Sequence, residues 1–420
     1  MSDYDKDLLE QGILHYKFKE FDAARRYCER ALEVADDYET RTRAYYYLSL
    51  MTTDLKEKRN YLEEVLAIDP VHAEARRDLA ILDGRLKPEE IVNPDALARQ
   101  TTGTVAAQSD RFTCPKCGGK MTFAADGHSL VCEYCNRAQI LGDKRTREQD
   151  FFAAMATSKG HSVPVAMQIS HCQGCGAEFI LPAQEMATIC AYCGSAHVTR
   201  QQRDLSTPDS VIPMTVDHHT VENALLARMG KYSIILKDNG LSPRGFYIPV
   251  WTFDLVGSIP WNGFVYRDKK RIPVSGDEPV NSHGAHVPAS KKLSDLLPDL
   301  LPGFNFYSAV EYDPRFLAGW PVQVYEVPLA TAALSARASV VKEIRAKIVS
   351  NHGQVMDLNY VTSGVSISAF NLVLVPLWLA EVSVEGQVLR VAINGASGEV
   401  YGKTPRRGIA GWIEDMVNGK

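Results

Sequence analysis

The sequence has no long unbroken apolar run. Its longest apolar stretch, Leu372 to Ala380, is interrupted by Pro376 and falls far short of the ~20 residues that a membrane-spanning helix needs. An apolar leader is also missing, because the chain starts Met-Ser-Asp-Tyr-Asp-Lys. No secretory signal peptide is therefore expected, and with it no oxidising compartment in which disulfides would persist. No Gly-rich phosphate loop follows a strand, no Gly-x-Ser-x-Gly elbow occurs, and no helix carries His-Glu-x-x-His. Charge of one sign is not in excess either, with 46 Lys and Arg against 51 Asp and Glu. These absences point away from membrane spans, from the common hydrolase and nucleotide-binding sites, and from a polyanion-binding molecule as a whole. A cytoplasmic, non-enzymatic protein is the expectation.

What is present is concentrated in the cysteines. Eight of nine fall into two copies of one pattern, Cys114-Pro-Lys-Cys117 with Cys132-Glu-Tyr-Cys135, and Cys172-Gln-Gly-Cys175 with Cys190-Ala-Tyr-Cys193, each with 14 residues between its pairs. A C-x2-C turn brings two thiolates to one tetrahedral ion, and the second turn closes the sphere, so two structural Zn2+ sites are expected. Iron bound as in rubredoxin uses the same four thiolates and stays open as the alternative metal. A redox C-x-x-C works as a lone pair, whereas here each pair has a mate. Gly118, Gly119, Gly176 and Gly194 follow the second cysteine of a turn, and Asn136 fills that place in the fourth, where N–H groups must swing toward sulfur. The segment from Met121 to Val131 reads as strand, Asp-Gly turn, strand, the hairpin of a zinc ribbon. Cys28, the ninth cysteine, reads as a small buried residue in a helix.

Ahead of the cysteines the chain is helical and repetitive. Leu9, Gly12, Ile13 and Tyr16, then Phe21, Ala24, Tyr27, Cys28 and Ala31, recur at helical spacing, with small residues where paired helices approach. A second unit runs from Tyr45 to an Asp-Pro at Pro70, and Ala73 to Leu86 supplies a cap. This is a tetratricopeptide-like start, with a plain five-helix bundle as the alternative. A linker follows, and between the two cysteine modules a helix over 145–158 carries Phe151, Phe152 and Met155, which need cover. From Val211 the chain changes character and repeats itself: strand, helix, then Pro-Val-Trp251 in one copy and Pro-Leu-Trp378 in the other, ending in alternating strands with turns at Gly386 and Gly395. Pro249 and Pro376 imply edges or bulges, since proline cannot donate to a ladder.

The expected class is multidomain: an all-α helical-repeat N-terminus, two four-cysteine zinc ribbons and a duplicated α+β C-terminal domain on antiparallel sheets. Its expected boundaries are helical repeats over 1–87, linker 88–111, ribbon one 112–141, connecting helix 142–168, ribbon two 169–200, α+β units 208–323 and 324–404, and a tail 405–420.

The helical start, the Leu130-Val-Cys-Glu-Tyr-Cys135 ribbon, Tyr312-Asp-Pro-Arg-Phe-Leu-Ala-Gly-Trp320 and the closing Ile393-Asn-Gly-Ala-Ser-Gly-Glu-Val400 together resemble a group of uncharacterised bacterial zinc-ribbon proteins. The resemblance covers most of the chain from about Ala75 and brings no established activity. Many such proteins continue into membrane helices after this hairpin, and that feature is not carried over to this chain.

Two functions remain. The first is an adaptor that binds a protein partner or self-assembles, its ribbons serving as rigid joints because modules of about thirty residues cannot fold on an apolar core alone. The second is nucleic-acid binding through ribbon one, where Lys116, Lys120 and Arg137 supply charge and Phe112, Phe123 and Tyr134 could stack. The same window holds Asp110, Asp126, Glu133, Asp143, Glu148 and Asp150, and eight thiolates on two Zn2+ would take the formal charge from −5 to −9. The adaptor reading is therefore preferred. Asp217, at a strand-to-helix junction, reads as an N-cap. His283 and His286 read as a solvated Gly/Pro/Ser-rich loop, with a metal site using Asp277 or Glu278 as the weaker alternative.

Overall fold

The computed structural model describes residues 4–402, apart from 71, 93–103, 112–113, 120, 125–128, 143–147, 158–159, 161–166, 172–177, 183–184, 190–195, 201–207, 230–241, 268–269, 291–295, 318–319, 324, 353–354 and 385–386. An N-terminal helical region leads into a sheet-rich C-terminal region. Helices α1 (Tyr4–Lys17), α2 (Phe21–Val34), α3 (Tyr38–Met51), α4 (Leu55–Ile68) and α5 (Ala73–Leu82) come first. Asp37 caps α3 by accepting from the Thr40 N–H at 2.8 Å, and Asp54 caps α4 by accepting from Lys56 at 2.8 Å. Between α1 and α2 the approach is so close that a Cβ on Gly12 would stand 2.8 Å from the Cys28 sulfur. Cys28 is fully buried, and burial pushes its thiol up to about 11. The rings of Tyr45, Tyr46 and Tyr47 divide between two small cores: Tyr47 joins Leu9 and Leu48, while Tyr45 and Tyr46 join Leu62 and Val65.

The next elements are β1 (Thr104–Arg111), β2 (Met121–Phe123), β3 (Ser129–Cys132), β4 (Ala138–Ile140), β5 (Gln149–Asp150) and α6 (Phe151–Met155). They are followed by β6 (Met167–His171), β7 (Glu178–Pro182), β8 (Glu185–Ile189) and β9 (Ala196–Arg200). Strand β1 falls in the far half of the segment read as a linker; it pairs in parallel with β6 and antiparallel with β9. Thr-Val-Ala-Ala-Gln-Ser-Asp has no apolar alternation to announce a strand, and it is held by backbone pairing. The connecting helix is also shorter than expected. It starts only at Phe151 because Gln149 and Asp150 pair with a sheet strand, and Asp150 then caps it by accepting from Ala153 at 3.0 Å.

The last region comprises β10 (Ser210–Val211), α7 (His218–Met229), β11 (Arg244–Arg267), β12 (Lys270–Pro288), α8 (Leu297–Leu300), β13 (Val310–Glu311) and β14 (Val322–Gln323). It closes with α9 (Leu329–His352), β15 (Met356–Tyr360), β16 (Ser366–Val384), β17 (Gln387–Asn394) and β18 (Val400–Gly402). Strands β11 and β16 run antiparallel at its centre, flanked by β12 and β17. Along β11, Tyr247, Trp251 and Phe253 join a core with α7 and α9, while Ile248 and Val250 face a second core with Leu297 and Leu300. Along β16, Leu372, Leu374 and Trp378 take the first side and Val373, Val375 and Leu377 the second. The longest apolar run of the sequence is thus a strand covered on both faces.

The two Pro-x-Trp segments sit symmetrically about the pair Ile248↔Val375, with Pro249 opposite Leu374 and Pro376 opposite Tyr247. On the outer flank of β16, Val211 pairs beside Leu374; on that of β11, Val322 pairs beside Tyr247. The indole N–H of Trp378 donates to the Val216 carbonyl at 3.1 Å, just ahead of α7, and that of Trp251 donates to the Val327 carbonyl at 2.8 Å, just ahead of α9. Each tryptophan therefore ties down the helix that belongs to the other sequence copy. Both buried clusters draw described residues from 208–323 and from 324–404 alike. The prolines are not at the edge of the sheet. Each lies in a gap between two partners on its outer flank: Pro376 falls between the β10 pairing, which stops at Leu374, and that of β17, which starts at Leu377. Pro249 falls between Tyr247, paired to β14, and Val250, where β12 pairing ends. A missing N–H costs no ladder bond there.

His283 and His286 lie in β12 rather than in a loop. The Gly- and Pro-containing stretch is held extended by pairing with β11 along most of its length.

Candidate metal centre

Strands β2, β3 and β4 form a three-stranded antiparallel sheet with Met121 opposite Cys132 and Leu130 opposite Gln139. Two turns project from it. In the first, the Cys114 N–H donates to the Gly119 carbonyl at 2.8 Å and Gly118 N–H returns to the Cys114 carbonyl at 2.8 Å, with Gly118 at φ 72°. In the second, Cys132 N–H donates to Arg137 at 3.0 Å and Asn136 N–H to Cys132 at 3.0 Å, with Asn136 at φ 52°. Both turns thus place a left-handed residue directly after their second cysteine, for which glycine and asparagine carry the least strain.

The turns bring Cys114, Cys117, Cys132 and Cys135 together, with all four sulfurs within 4.8 Å of one another. Cys114 and Cys135 sulfurs stand 3.6 Å apart, and Cys117 and Cys132 3.5 Å. A tetrahedral Zn–S distance near 2.3 Å implies sulfur separations of about 3.8 Å, so the set fits one ion. Cys114 and Cys132 are buried, Cys135 half-buried and Cys117 exposed. The N–H groups of Lys116 and Cys117 hold the Cys114 thiol down to about 6, and those of Cys135 and Tyr134 lower Cys132 in the same manner. Gly119 N–H pulls on Cys117 as well, but the neighbouring sulfurs of Cys132 and Cys135 outweigh it and push Cys117 up to about 12. Four such thiols cannot all ionise without a cation among them, while the N–H groups are already turned to stabilise the thiolates. The cluster can hold a metal ion through four protein ligands, which leaves no position for substrate.

Gly119, read from the sequence for its N–H, is also where two sulfurs and a ring leave no room for a side chain. A Cβ there would meet a Tyr134 ring carbon at 2.6 Å and the Cys132 and Cys117 sulfurs at 3.2 and 3.3 Å. Its signal was the second glycine of Cys-Gly-Gly. The module is anchored from below, because Cys114, Met121, Leu130, Cys132 and Leu141 belong to the same buried cluster as Trp251 and Phe370. Helix α6 completes the anchor. Phe151 packs edge-on against Phe253 and Phe370 at 6.4 and 6.2 Å, and Arg76 of α5 lies over Phe152 at 4.8 Å. Phe151 and Phe152, which the sequence left in need of cover, are therefore covered from opposite regions of the chain.

Cys172, Cys175, Cys190 and Cys193 lie outside the described residues. The described strands on either side of each cysteine pair are antiparallel, β6 with β7 and β8 with β9. Lys116 and Arg137 are exposed on the two turns, and Lys120 lies outside the described residues. Asp217 accepts from the Thr220 N–H at 2.8 Å and caps α7, which holds its carboxyl below the usual range. His283 Nδ1 stands 3.0 Å from Asp254, and Glu278 pairs with Lys347 at 2.5 Å. Among the described residues the four cysteines are the only group of three or more His, Cys, Asp or Glu donors gathered at metal distance, so Asp277, Glu278 and the histidines do not form a second one. No helix among the described residues is long and apolar enough to cross a membrane.

Over 336 residues the chain is 24% identical to YdjG of Bacillus subtilis (strain 168), an uncharacterised protein, an overlap that covers 73% of this chain and 94% of that one. No family model and no solved structure matches it.

Proposed function

We propose that this protein is a non-enzymatic, zinc-binding scaffold of the cytoplasm that joins a protein partner, or further copies of itself, through its helical and sheet regions. The observation that carries the reading is the closed sulfur set of Cys114, Cys117, Cys132 and Cys135, which offers a metal four ligands and no free face. Zinc is the metal best suited to such a set, and in this reading the second quartet, Cys172, Cys175, Cys190 and Cys193, holds a second ion in a second ribbon. The helical start acts as a short tetratricopeptide-like unit. Leu14, Phe18 and Phe21, from 47% to 69% exposed around the turn between α1 and α2, support a protein-binding role for it. The C-terminal region is a duplicated α+β unit in this reading, supported by the two-fold arrangement about Ile248 and Val375.

Native mass spectrometry of the full chain, purified from its own source without chelator, tests the proposal. Two zinc ions with a stoichiometric protein partner or a homo-oligomer are expected. Iron in either site, or a stoichiometric nucleic acid in place of a protein, would overturn it.

A further inference from the structure

Beside the central strands, well away from the sulfurs in sequence and chemistry, lies a cleft of about 380 Å3 between β10, β11, β12, β16 and the turn over 304–309. Asp254 is its hub. One carboxylate oxygen accepts from the Gly284 N–H at 2.8 Å, and the other stands 3.0 Å from His283 Nδ1. Glu148 shares the cleft with this pair. On the opposite wall the Ser210 hydroxyl, in a residue only 1% exposed, has no hydrogen-bond partner among the described residues, and neither has the carbonyl oxygen of Asn371. Buried polar atoms left in this condition cost stability, and they are rare enough in native proteins to require a reason. Phe306, stacked on His286 at 5.5 Å, forms an aromatic side to the same space.

The chemistry of the walls selects the ligand. Among the described residues neither Lys nor Arg lines the cleft, and the one imidazole among them is already engaged by Asp254, so phosphates and carboxylates find no counter-charge from these walls. The carboxylates and imidazole do not converge as a metal cage does. The open hydrogen-bonding capacity is chiefly that of acceptors: two carboxyl groups, an amide carbonyl and a hydroxyl. An ammonium group provides both positive charge and several N–H donors, and an aromatic wall favours it further. We propose that this cleft binds a small organic cation with primary ammonium groups, held by Glu148 and Asp254, with Ser210 and Asn371 accepting its N–H groups and Phe306 covering its apolar stem. Burial, with the charge of Asp254 and a hydrogen bond to it, raises the Glu148 carboxyl above its ordinary value, and the His283 imidazole offsets this only in part.

Isothermal titration calorimetry on the full chain tests this with putrescine, with 1,4-butanediol as its uncharged counterpart and with succinate as the anion. Putrescine is expected to bind with Kd below about 1 mM and butanediol at least about tenfold more weakly. Glu148→Gln, at an exposed position that tolerates the change, should weaken putrescine at least about tenfold. Ser210→Ala should weaken it severalfold while leaving the melting temperature unchanged or higher, since it removes an unpaired buried hydroxyl. Equal binding of butanediol, binding of succinate, no heat with putrescine at about 10 mM, or wild-type affinity in both variants would each overturn the assignment.

Discussion

The cysteine module and the central sheet hold hairpins together by different means, and each kind of support left a different trace in the sequence. Between Cys114 and Leu141 there are three strands of three or four residues, and Tyr134 and Ile140 are about 80% exposed. A segment of that size has too little apolar surface of its own to outweigh its conformational entropy, and an ion held by the four sulfurs would supply the difference. Around β11 and β16 the position is reversed. Trp251, Tyr247, Phe253 and Phe370 are almost completely buried, and the sheet is covered on both faces. In the proposed reading one region therefore depends on a few coordinate bonds and the other on many contacts, so the loss of one ligand should unfold the first, while the loss of one side chain should only weaken the second.

The largest effect is expected from breaking the first region alone. Cys114→Ser should release one metal ion, and structural Zn2+ contributes on the order of 10–16 kcal/mol to the folding of such modules. The sheet should keep its cooperative melt. Retention of full metal content by this variant would show that the ligands have been assigned wrongly. Cys172→Ser asks the same of the second quartet. In the sheet, Trp251→Ala and Trp378→Ala should each cost about 3–5 kcal/mol in chemical denaturation without loss of metal. Because the two indoles make equivalent bonds to the chain ahead of α9 and α7, their costs should be alike; a large inequality would argue against a two-fold core. Phe151→Ala acts where the regions meet. A loss of about 2 kcal/mol is expected for this half-buried ring, together with faster hydrogen exchange in β2 to β4. Gly119→Ala should weaken zinc binding by about tenfold, read by competition with a chelator, because the new methyl meets two ligand sulfurs.

The smallest expected effect is a pH dependence. His283 is raised by its hydrogen bond and charge interaction with Asp254, with Glu148 also facing it. The stabilisation from a raised histidine is complete below its unfolded value near 6.5 and is lost as pH rises through the higher folded value. With His283 more than half exposed, solvent screening keeps the contribution small. An NMR titration should show the His283 midpoint above that of a free imidazole, and Asp254→Asn should bring it down.

The gathering of the Cys114, Cys117, Cys132 and Cys135 sulfurs was legible because it is local: two C-x2-C turns with glycine or asparagine behind them leave little freedom. The helices around Gly12 and Cys28 were legible for a similar reason, since helical periodicity is written within one segment. The strand at Thr104–Arg111 was not, because its pairing with β6 and β9 draws on backbone groups that every residue carries. His283 and His286 misled for a related reason. Their Gly, Pro and Ser neighbours suit a loop, and only the long partner strand β11 keeps them extended.

By itself, then, the sequence determined the sulfur set, the helical start and the existence of two similar Pro-x-Trp segments, all of which depend on residues close together in the chain. Tertiary structure decided how the two segments share one sheet, with each tryptophan bonded to the other copy's helix, and where the prolines sit without losing a ladder bond. It also brought Glu148, Ser210, Asp254 and Asn371 to a common cleft. Contacts between residues so far apart depend on the register of long strands. That register is set by burial on both faces of the sheet at once, which no single stretch of sequence records.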